Sequence, residues 1–199
     1  SVASNGGTHT AWEDVALIRE IPGAVICDPA DDVQMEWIIK EFLKMEGIHY
    51  VRSNRKAVRN VYKKGSSFKI GQGNILKEGK DILIIAAGQL VSEALDCAEE
   101  LEKEGYSVEV IDMFTIKPLD EKLLIKEAKG KSKIVTIENH SIYGGLGSVV
   151  SEVIAENGIS VPVKRIGVKE KFGQVGTAEF LQEEFGLTAK QIKETICQF

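Results

Sequence analysis

The chain is poor in cysteine and contains no long apolar run. Its three cysteines, Cys27, Cys97 and Cys197, are odd in number and far apart, a pattern typical of reduced thiols and not of a disulfide framework. None stands at metal-ligand spacing from another cysteine or a histidine, which argues against a zinc site. No stretch approaches the roughly 18 apolar residues of a membrane span, and the first residues lack the pattern of a signal peptide. We therefore expect a cytoplasmic protein that does not enter a membrane.

An excess of basic charge is also absent. The 199 residues include 30 acidic and 25 basic side chains, for a net charge of −5, so the composition gives no reason to expect a nucleic-acid partner. Small anionic ligands remain possible, because a few arginines, lysines or helix N-termini suffice to bind them. With 43% hydrophobic residues, the chain can form a core that needs neither disulfides nor a metal.

Short apolar runs alternate with amphipathic patterns along the chain. The runs are AVIC (24–27), IHYVRS (48–53), DILIIAAG (81–88), SVEVIDM (107–113), KIVTIE (133–138) and PVKRIGV (162–168). Continuous Ile, Leu and Val runs separated by helical patterns indicate buried parallel strands joined by crossover helices. The sequence therefore predicts an α/β fold made of parallel-sheet layers, closed by two short helices near the C-terminus.

Helix boundaries are marked by capping residues. A cap followed three residues later by Glu or Gln can satisfy free N–H groups reciprocally. We predict helix starts at Thr10 with Glu13, Asp31 with Gln34, and Thr188 with Gln191, a first-turn proline at Pro118, and helix ends at Gly105, Gly130 and Gly186.

A segment rich in Gly, Ser and Lys divides the chain. We predict a first domain over residues 1–64, a linker over 65–80 with a small hairpin around IGQGNIL, and a second domain over 81–199. The second segment has the size of a complete domain. The first is too short for a sheet covered on both faces, so we expect it to be part of a larger domain.

Two stretches carry candidate binding residues. Asn5-Gly6-Gly7-Thr8-His9 precedes a predicted helix, and its imidazole could hydrogen-bond a substrate oxygen or exchange a proton; the alternative is a flexible terminal loop. The run from Tyr50 to Lys56 places three cations at the end of a strand, where open α/β sheets bind ligands. Arginine suits phosphate, although a solvated charge run is the alternative.

The glycine-rich stretch Gly144–Ser148 follows a strand and opens a helix. It lacks the lysine of a P-loop and the spacing of a dinucleotide motif, so a tight strand-to-helix turn is the better interpretation. Glu138 and His140 precede it. They are either polar neighbours of an active site or an ordinary hydrogen-bonded pair, and the sequence leaves both open.

The order of several motifs carries a resemblance to a known family. They are G-G-T-H, I-P-G-x-x-x-x-x-P-A-D, Y-V-R-S-N-R, G-K-D-I-L-I-I-A-A-G-x-x-V-x-E-A-L, I-K-P-L-D, E-N-H, G-G-L-G-S and F-G-x-V-G-T. Together they resemble the later half of the pyrimidine-binding domain of transketolases followed by a complete transketolase C-terminal domain. The resemblance covers essentially the whole chain and is strongest to split transketolases, whose function is divided between two polypeptides.

The resemblance implies roles for four residues. His9 would act as a catalytic residue at the sugar oxygens, and Asn5 would bind a substrate hydroxyl in place of the family's usual Asp. Arg55 would bind the phosphate of a sugar phosphate, with Arg52 as the weaker candidate. Val175 stands where relatives often have Ser, and we assign it no role.

The resemblance also implies what other polypeptide segments supply. The chain contains no Gly-Asp-Gly motif, so thiamine diphosphate and Mg²⁺ would be held mainly outside it, by an N-terminal transketolase subunit and by upstream residues that carry the catalytic Glu. We expect a ketol transfer between sugar phosphates, as in the pentose phosphate pathway, from a complex in which this chain forms at least a dimer. Alone it would be inactive.

Two alternatives are kept. The chain could belong to a 1-deoxyxylulose-5-phosphate synthase or to the beta subunit of a 2-oxoacid dehydrogenase, which share the superfamily. Residues 81–199 could instead form a non-catalytic assembly or regulatory module.

Overall fold

A computed structural model describes residues 6–7 and 11–199. The helices are α1 Asp14–Arg19, α2 Asp32–Phe42, α3 Val91–Lys103, α4 Glu121–Ala128, α5 Leu146–Glu156, α6 Ala178–Glu184 and α7 Ala189–Gln198. The strands are β1 Val25–Cys27, β2 His49–Val51, β3 Asn74–Lys77, β4 Ile82–Ala86, β5 Val108–Asp112, β6 Thr115–Lys117, β7 Lys133–Ser141 and β8 Val163–Val168, and a short 3₁₀ helix spans Gly88–Leu90.

The larger of two sheets forms the C-terminal half of the fold. Its strand order is β3-β5-β4-β7-β8, with β5, β4, β7 and β8 parallel and β3 antiparallel at the edge. Every residue of β4 is buried, since helices cover both faces: α3 and α7 pack on one side, α4 and α5 on the other. The apolar runs thus predicted this parallel sheet correctly, because strands buried on both faces are apolar throughout.

The smaller sheet has the order β2-β1-β6. β1 and β2 are parallel, whereas β6, which lies within the second predicted domain, pairs antiparallel with β1. On one face, Val15 of α1 packs with Ile26 of β1 and Val149 of α5. On the other face, Ile38 of α2 packs with Cys27 of β1 and with Phe114, which precedes β6. Both halves of the chain therefore contribute strand and core to this sheet.

The segment predicted as a linker contains β3. The hairpin expected around IGQGNIL is wrong: β3 pairs with β5, with Ile75 opposite Ile111. The physical reason is that β5 offers an unpaired edge, and a four-residue strand satisfies more backbone groups there than in an isolated hairpin.

Most predicted helix caps are confirmed. Asp31 accepts a hydrogen bond from the backbone N–H of Gln34, Thr188 forms a full capping box with Gln191, and Gly105, Gly130 and Gly186 end their helices with positive φ. Helix α1 begins at Asp14, after Glu13; Thr10 lies outside the described residues. Pro118 precedes Asp120, the N-cap of α4, so the predicted first-turn position is wrong.

Cys27 and Cys97 are buried, Cys197 is exposed, and all three are free thiols. Within residues 6–7 and 11–199, none of the helices has the length and apolar character required to cross a bilayer.

Candidate active-site junction

The carboxyl ends of strands from the two sheets face each other. Asp28 follows β1, and its backbone carbonyl accepts a 3.0 Å hydrogen bond from the N–H of Gly88, which follows β4. Arg52 follows β2 and donates to the backbone carbonyl of Asn139 on β7 at 2.9 Å. We call this region the junction. It lies where open α/β sheets place their ligands, beyond the C-terminal ends of parallel strands.

Arg52 lies at the centre of the junction. Its Nε donates to Oδ2 of Asp14 at 2.8 Å, and its Nη1 donates to Oδ2 of Asp28 at 3.0 Å and to Asn139. Its Nη2 reaches Oδ1 of Asp14 at 3.3 Å and the carbonyl of Ala11 at 3.4 Å. The guanidinium therefore directs all five of its N–H groups at protein oxygens, and its side chain is only 13% exposed.

Two carboxylates share this arginine and differ in their proton affinity. Burial alone would raise the pKa of Asp14, but Arg52 and the hydroxyl of Tyr50, which donates at 2.8 Å, outweigh burial and lower that pKa. Asp28 is more deeply buried, and desolvation raises its pKa despite the attraction of Arg52. Asp14 is consequently the carboxylate that is firmly ionised beside the arginine.

The glycine-rich turn holds one of the protein's own carboxylates. Glu138 on β7 accepts hydrogen bonds from the backbone N–H groups of Leu146 at 2.7 Å and Gly147 at 2.8 Å, at the start of α5. A Cβ on Gly145 would overlap Oε2 of Glu138, so this approach requires glycine. The turn is the strand-to-helix connection that was predicted, and its anion-binding N–H groups serve an internal carboxylate. Burial raises the pKa of Glu138 to about 7.

His140 lies between this turn and Asp14. Its Nδ1 donates to the carbonyl of Ser141 at 2.7 Å, which leaves Nε2 as the acceptor nitrogen of the neutral ring. That Nε2 is 3.7 Å from Oδ1 of Asp14 and has no hydrogen-bond partner among the described residues. Burial lowers the pKa of His140. Glu138 and His140 are 3.7 Å apart, so they are buried neighbours at the junction and not a hydrogen-bonded pair.

Arg55 lies at the surface, three residues beyond Arg52. It is exposed and makes no hydrogen bond or ion pair with the described part of the chain. It lines a cavity of about 360 Å³ together with Ser53, Asn54 and Lys56, and Asp31 and Asp32 line the same cavity. Arg55 therefore keeps its N–H groups for a ligand, in a cavity whose lining carries both signs of charge.

The sequence-predicted residues are thus divided. Arg52 and Arg55 are placed by the structure, whereas Asn5 and His9 lie outside the described residues. Gly6 and Gly7, which lie between them in the sequence, are described: a Cβ on Gly7 would lie 2.7 Å from the carbonyl oxygen of Gly173, so Gly7 contacts the F-G-x-V-G segment. Gly7 and Phe172 line a second cavity, of about 540 Å³. Val175 is exposed.

Sequence reasoning missed Asp14 and Asp28 as partners of Arg52. A signal for Asp28 was present, because it directly follows a predicted buried strand, at the sheet end where functional groups gather. Asp14 carried no such signal. Residues 6–7 and 11–199 contain no group of three or more His, Cys, Asp or Glu side chains that could hold a metal ion, and we assign no metal ligand to them.

The fold and the junction define an α/β protein in which a charged cluster, Arg52 with Asp14 and Asp28, lies where the strands of two sheets meet. The chain belongs to the transketolase family: residues 71–192 match the family described as transketolase, C-terminal domain. It corresponds to the C-terminal section of the split transketolases, as the similar proteins show.

Three similar proteins illustrate this. A 6-deoxy-6-sulfo-D-fructose transketolase subunit of Clostridium sp. (strain MSTE9) is 41% identical over 188 residues, which cover 94% of this chain and 58% of that protein. A solved split-gene transketolase, described as an inactive beta4 tetramer, superposes with a TM-score of 0.89 at 38% identity, over 96% of this chain and 62% of that one. A 1-deoxy-D-xylulose-5-phosphate synthase of Heliobacterium modesticaldum is 34% identical over 96% of this chain and 30% of its own length. The chain thus spans about three fifths of the first two relatives.

Proposed function

We propose that this chain is the C-terminal part of a transketolase that transfers a two-carbon ketol unit between sugar phosphates. The observation that carries the proposal is the superposition of 96% of the chain on a split-gene transketolase. The similarity to a sulfofructose transketolase subunit supports the same reaction class.

Thiamine diphosphate would supply the carbanion chemistry of this reaction. Because similar proteins are single subunits of split transketolases, we infer that the cofactor and Mg²⁺ are bound mainly by an N-terminal transketolase subunit. This chain would provide a wall that faces the sugar. Arg55 would anchor the substrate phosphate through charge-assisted hydrogen bonds, His9 would hydrogen-bond and move protons at the sugar oxygens, and Asn5 would bind a hydroxyl.

The proposal includes the assembly. The related structure is described as an inactive beta4 tetramer, and we infer that this chain also associates with copies of itself and has no turnover without its partner subunit. Its three free thiols suit a reducing cytoplasm. Light scattering of the purified chain tests the first inference, and an assay of the chain with cofactor and Mg²⁺ tests the second.

The central test is reconstitution. The chain is combined with a diphosphate-binding transketolase subunit and the upstream half of the pyrimidine-binding domain, with thiamine diphosphate and Mg²⁺ present. We expect ketol transfer from a ketose phosphate to an aldose phosphate. A complex that forms but consumes no ketose phosphate would contradict the proposal. Consumption of pyruvate would favour the synthase alternative, to which the 34% identity to a 1-deoxy-D-xylulose-5-phosphate synthase gives some support.

The Arg55→Ala variant tests the phosphate site. An arginine–phosphate contact contributes about 1.5–3 kcal/mol, so we expect KM for a ketose phosphate to rise roughly 10- to 100-fold with little change in kcat. The matched control is Lys63→Ala, which removes another exposed cation from the same segment. An unchanged KM in Arg55→Ala, or an equal rise in the control, would show that the assignment is wrong.

A further inference from the structure

We propose that Arg52 is a positioning residue that holds the first turn of α1 against the junction, and that it does not bind the substrate phosphate. The expected change in the kinetics rests on the proposed ketol-transfer function. The contacts of Arg52 lie within this chain and do not depend on that function.

The first step is the saturation of the guanidinium. Arg52 directs all five N–H groups at Asp14, Asp28, Asn139 and Ala11. A phosphate could bind Arg52 only by displacing one of these oxygens. The weakest of them is the exposed carbonyl of Ala11, at 3.4 Å, which would free one N–H at most. Displacement of Asp14 or Asp28 would leave a largely desolvated carboxylate without its counter-charge. Arg55, in contrast, is exposed and makes no such contact among the described residues.

The second step is what Arg52 joins. Asp14 is the first residue of α1. Ala11 precedes it by three residues and follows His9 closely in the sequence. Asp28 follows β1, and Asn139 lies on β7 of the other sheet. One side chain therefore connects the start of α1 to both sheets. The hydroxyl of Tyr50, on β2, donates a hydrogen bond to the same carboxylate of Asp14 and so also connects β2 to the start of α1.

The third step is the consequence for the reaction. Arg52 directly follows β2, and Arg55 lies three residues further along the chain. When Arg52 holds the start of α1, it therefore also holds it in position relative to Arg55. Loss of this attachment would let the start of α1 shift while Arg55, the proposed phosphate anchor, remains in place. A misplacement of about 1 Å in a reacting geometry can lower the rate by about 100-fold. The effect would appear in kcat, whereas a lost phosphate ligand would appear in KM.

The kinetic experiment uses the reconstituted complex with Arg52→Lys, which retains the charge but not the five-donor geometry. We expect kcat to fall by about 100-fold to a similar extent for a phosphorylated and a non-phosphorylated ketose donor, with KM for the phosphorylated donor nearly unchanged. The matched control is Arg59→Lys, since Arg59 also binds a carboxylate and a carbonyl, those of Asp96 and Ser92, but away from the junction. A loss confined to phosphorylated donors, or wild-type kinetics in Arg52→Lys, would overturn the proposal.

A second readout needs no activity. Hydrogen exchange followed by mass spectrometry is measured on the wild-type complex and on Arg52→Lys, with Asp14→Asn as a second variant that preserves side-chain shape. We expect faster exchange in the peptide that spans α1, while α3 exchanges as in the wild type. If the wild-type complex shows no ketol transfer, the proposed function fails and exchange alone decides the positioning role. Unchanged exchange in α1 in both variants would refute it.

Discussion

Replacing Gly145 by alanine tests whether the internal carboxylate of the glycine-rich turn stabilises the fold. A Cβ at this position would overlap Oε2 of Glu138 and lie 2.6 Å from Nδ1 of His140. The backbone of Gly145 is extended, with φ −90° and ψ −152°, and its negative φ is open to alanine. We therefore expect the contact, more than the backbone, to account for the loss of stability.

The magnitude follows from the hydrogen bonds that Glu138 would lose on moving away. It accepts two backbone N–H groups, at 2.7 and 2.8 Å. Above its pKa of about 7 Glu138 is ionised, and hydrogen bonds to a charged group contribute about 1.5–3 kcal/mol each. We expect Gly145→Ala to lower the free energy of unfolding by about 3 kcal/mol or more, a large share of the roughly 5–15 kcal/mol of a typical domain.

Urea unfolding followed by circular dichroism measures the change through the transition midpoint. Gly130→Ala is the control: its φ is +79° and nothing lies within 4 Å of the added Cβ, so it should lose only the roughly 1–2 kcal/mol of left-handed strain. In a Glu138→Ala background, Gly145→Ala should be less destabilising, because the obstructing carboxylate is gone. A Gly145→Ala protein within 1 kcal/mol of wild type, or additive effects in the double variant, would refute the reasoning.

Two further predictions concern buried aspartates. Burial raises the pKa of Asp112 from 3.8 to about 7, so the folded state binds this proton more tightly than the unfolded state. The resulting stability, at most about 4 kcal/mol, is present below about pH 4 and is lost as pH rises through about 7. Asp112→Asn should therefore flatten the dependence of the unfolding free energy on pH over this range, and an unaltered pH profile would contradict the assignment. Asp31 caps α2 and also accepts hydrogen bonds from the backbone N–H groups of Val61 and Tyr62, so Asp31→Ala should lower the free energy of unfolding in urea by about 3 kcal/mol. The control Thr177→Ala removes a helix cap alone and should lower it by about 1 kcal/mol. Equal losses in the two variants would show that the contacts to residues 61 and 62 contribute nothing.

The large sheet could be predicted from the sequence because its strands are buried on both faces. In β4 the residues alternate between two cores, with Ile82 and Ile84 on one side and Leu83 and Ile85 on the other, so the whole run must be apolar. The strands β3 and β6 were missed for the opposite reason. They have four and three residues, and each is selected by the unpaired edge of a neighbouring strand, which local sequence does not contain.

The glycine-rich turn shows a similar limit at the site. Its conformation was predictable from Gly144 and Gly145 and from the helix that follows. The anionic group that the turn binds was not predictable, because Glu138 reaches these backbone N–H groups only when β7 and α5 pack together. A helix N-terminus binds an external anion or an internal carboxylate equally well, and only the tertiary arrangement distinguishes the two.

The same limit governs the two arginines after β2. Strand β2 ends at Val51 and Arg55 lies in a bend, so the alternation of side chains along a strand does not tell which of Arg52 and Arg55 is buried. In the structure Arg52 is largely buried and Asp14 and Asp28 compensate its charge, whereas Arg55 is exposed. A buried arginine with two carboxylates stabilises one arrangement of the surrounding segments, whereas an exposed arginine beside a cavity retains its donors for a ligand. We therefore expect the two arginines to have different roles, with Arg52 positioning the start of α1 and Arg55 binding the phosphate. Substitution of Arg52 should then lower kcat, whereas substitution of Arg55 should raise KM.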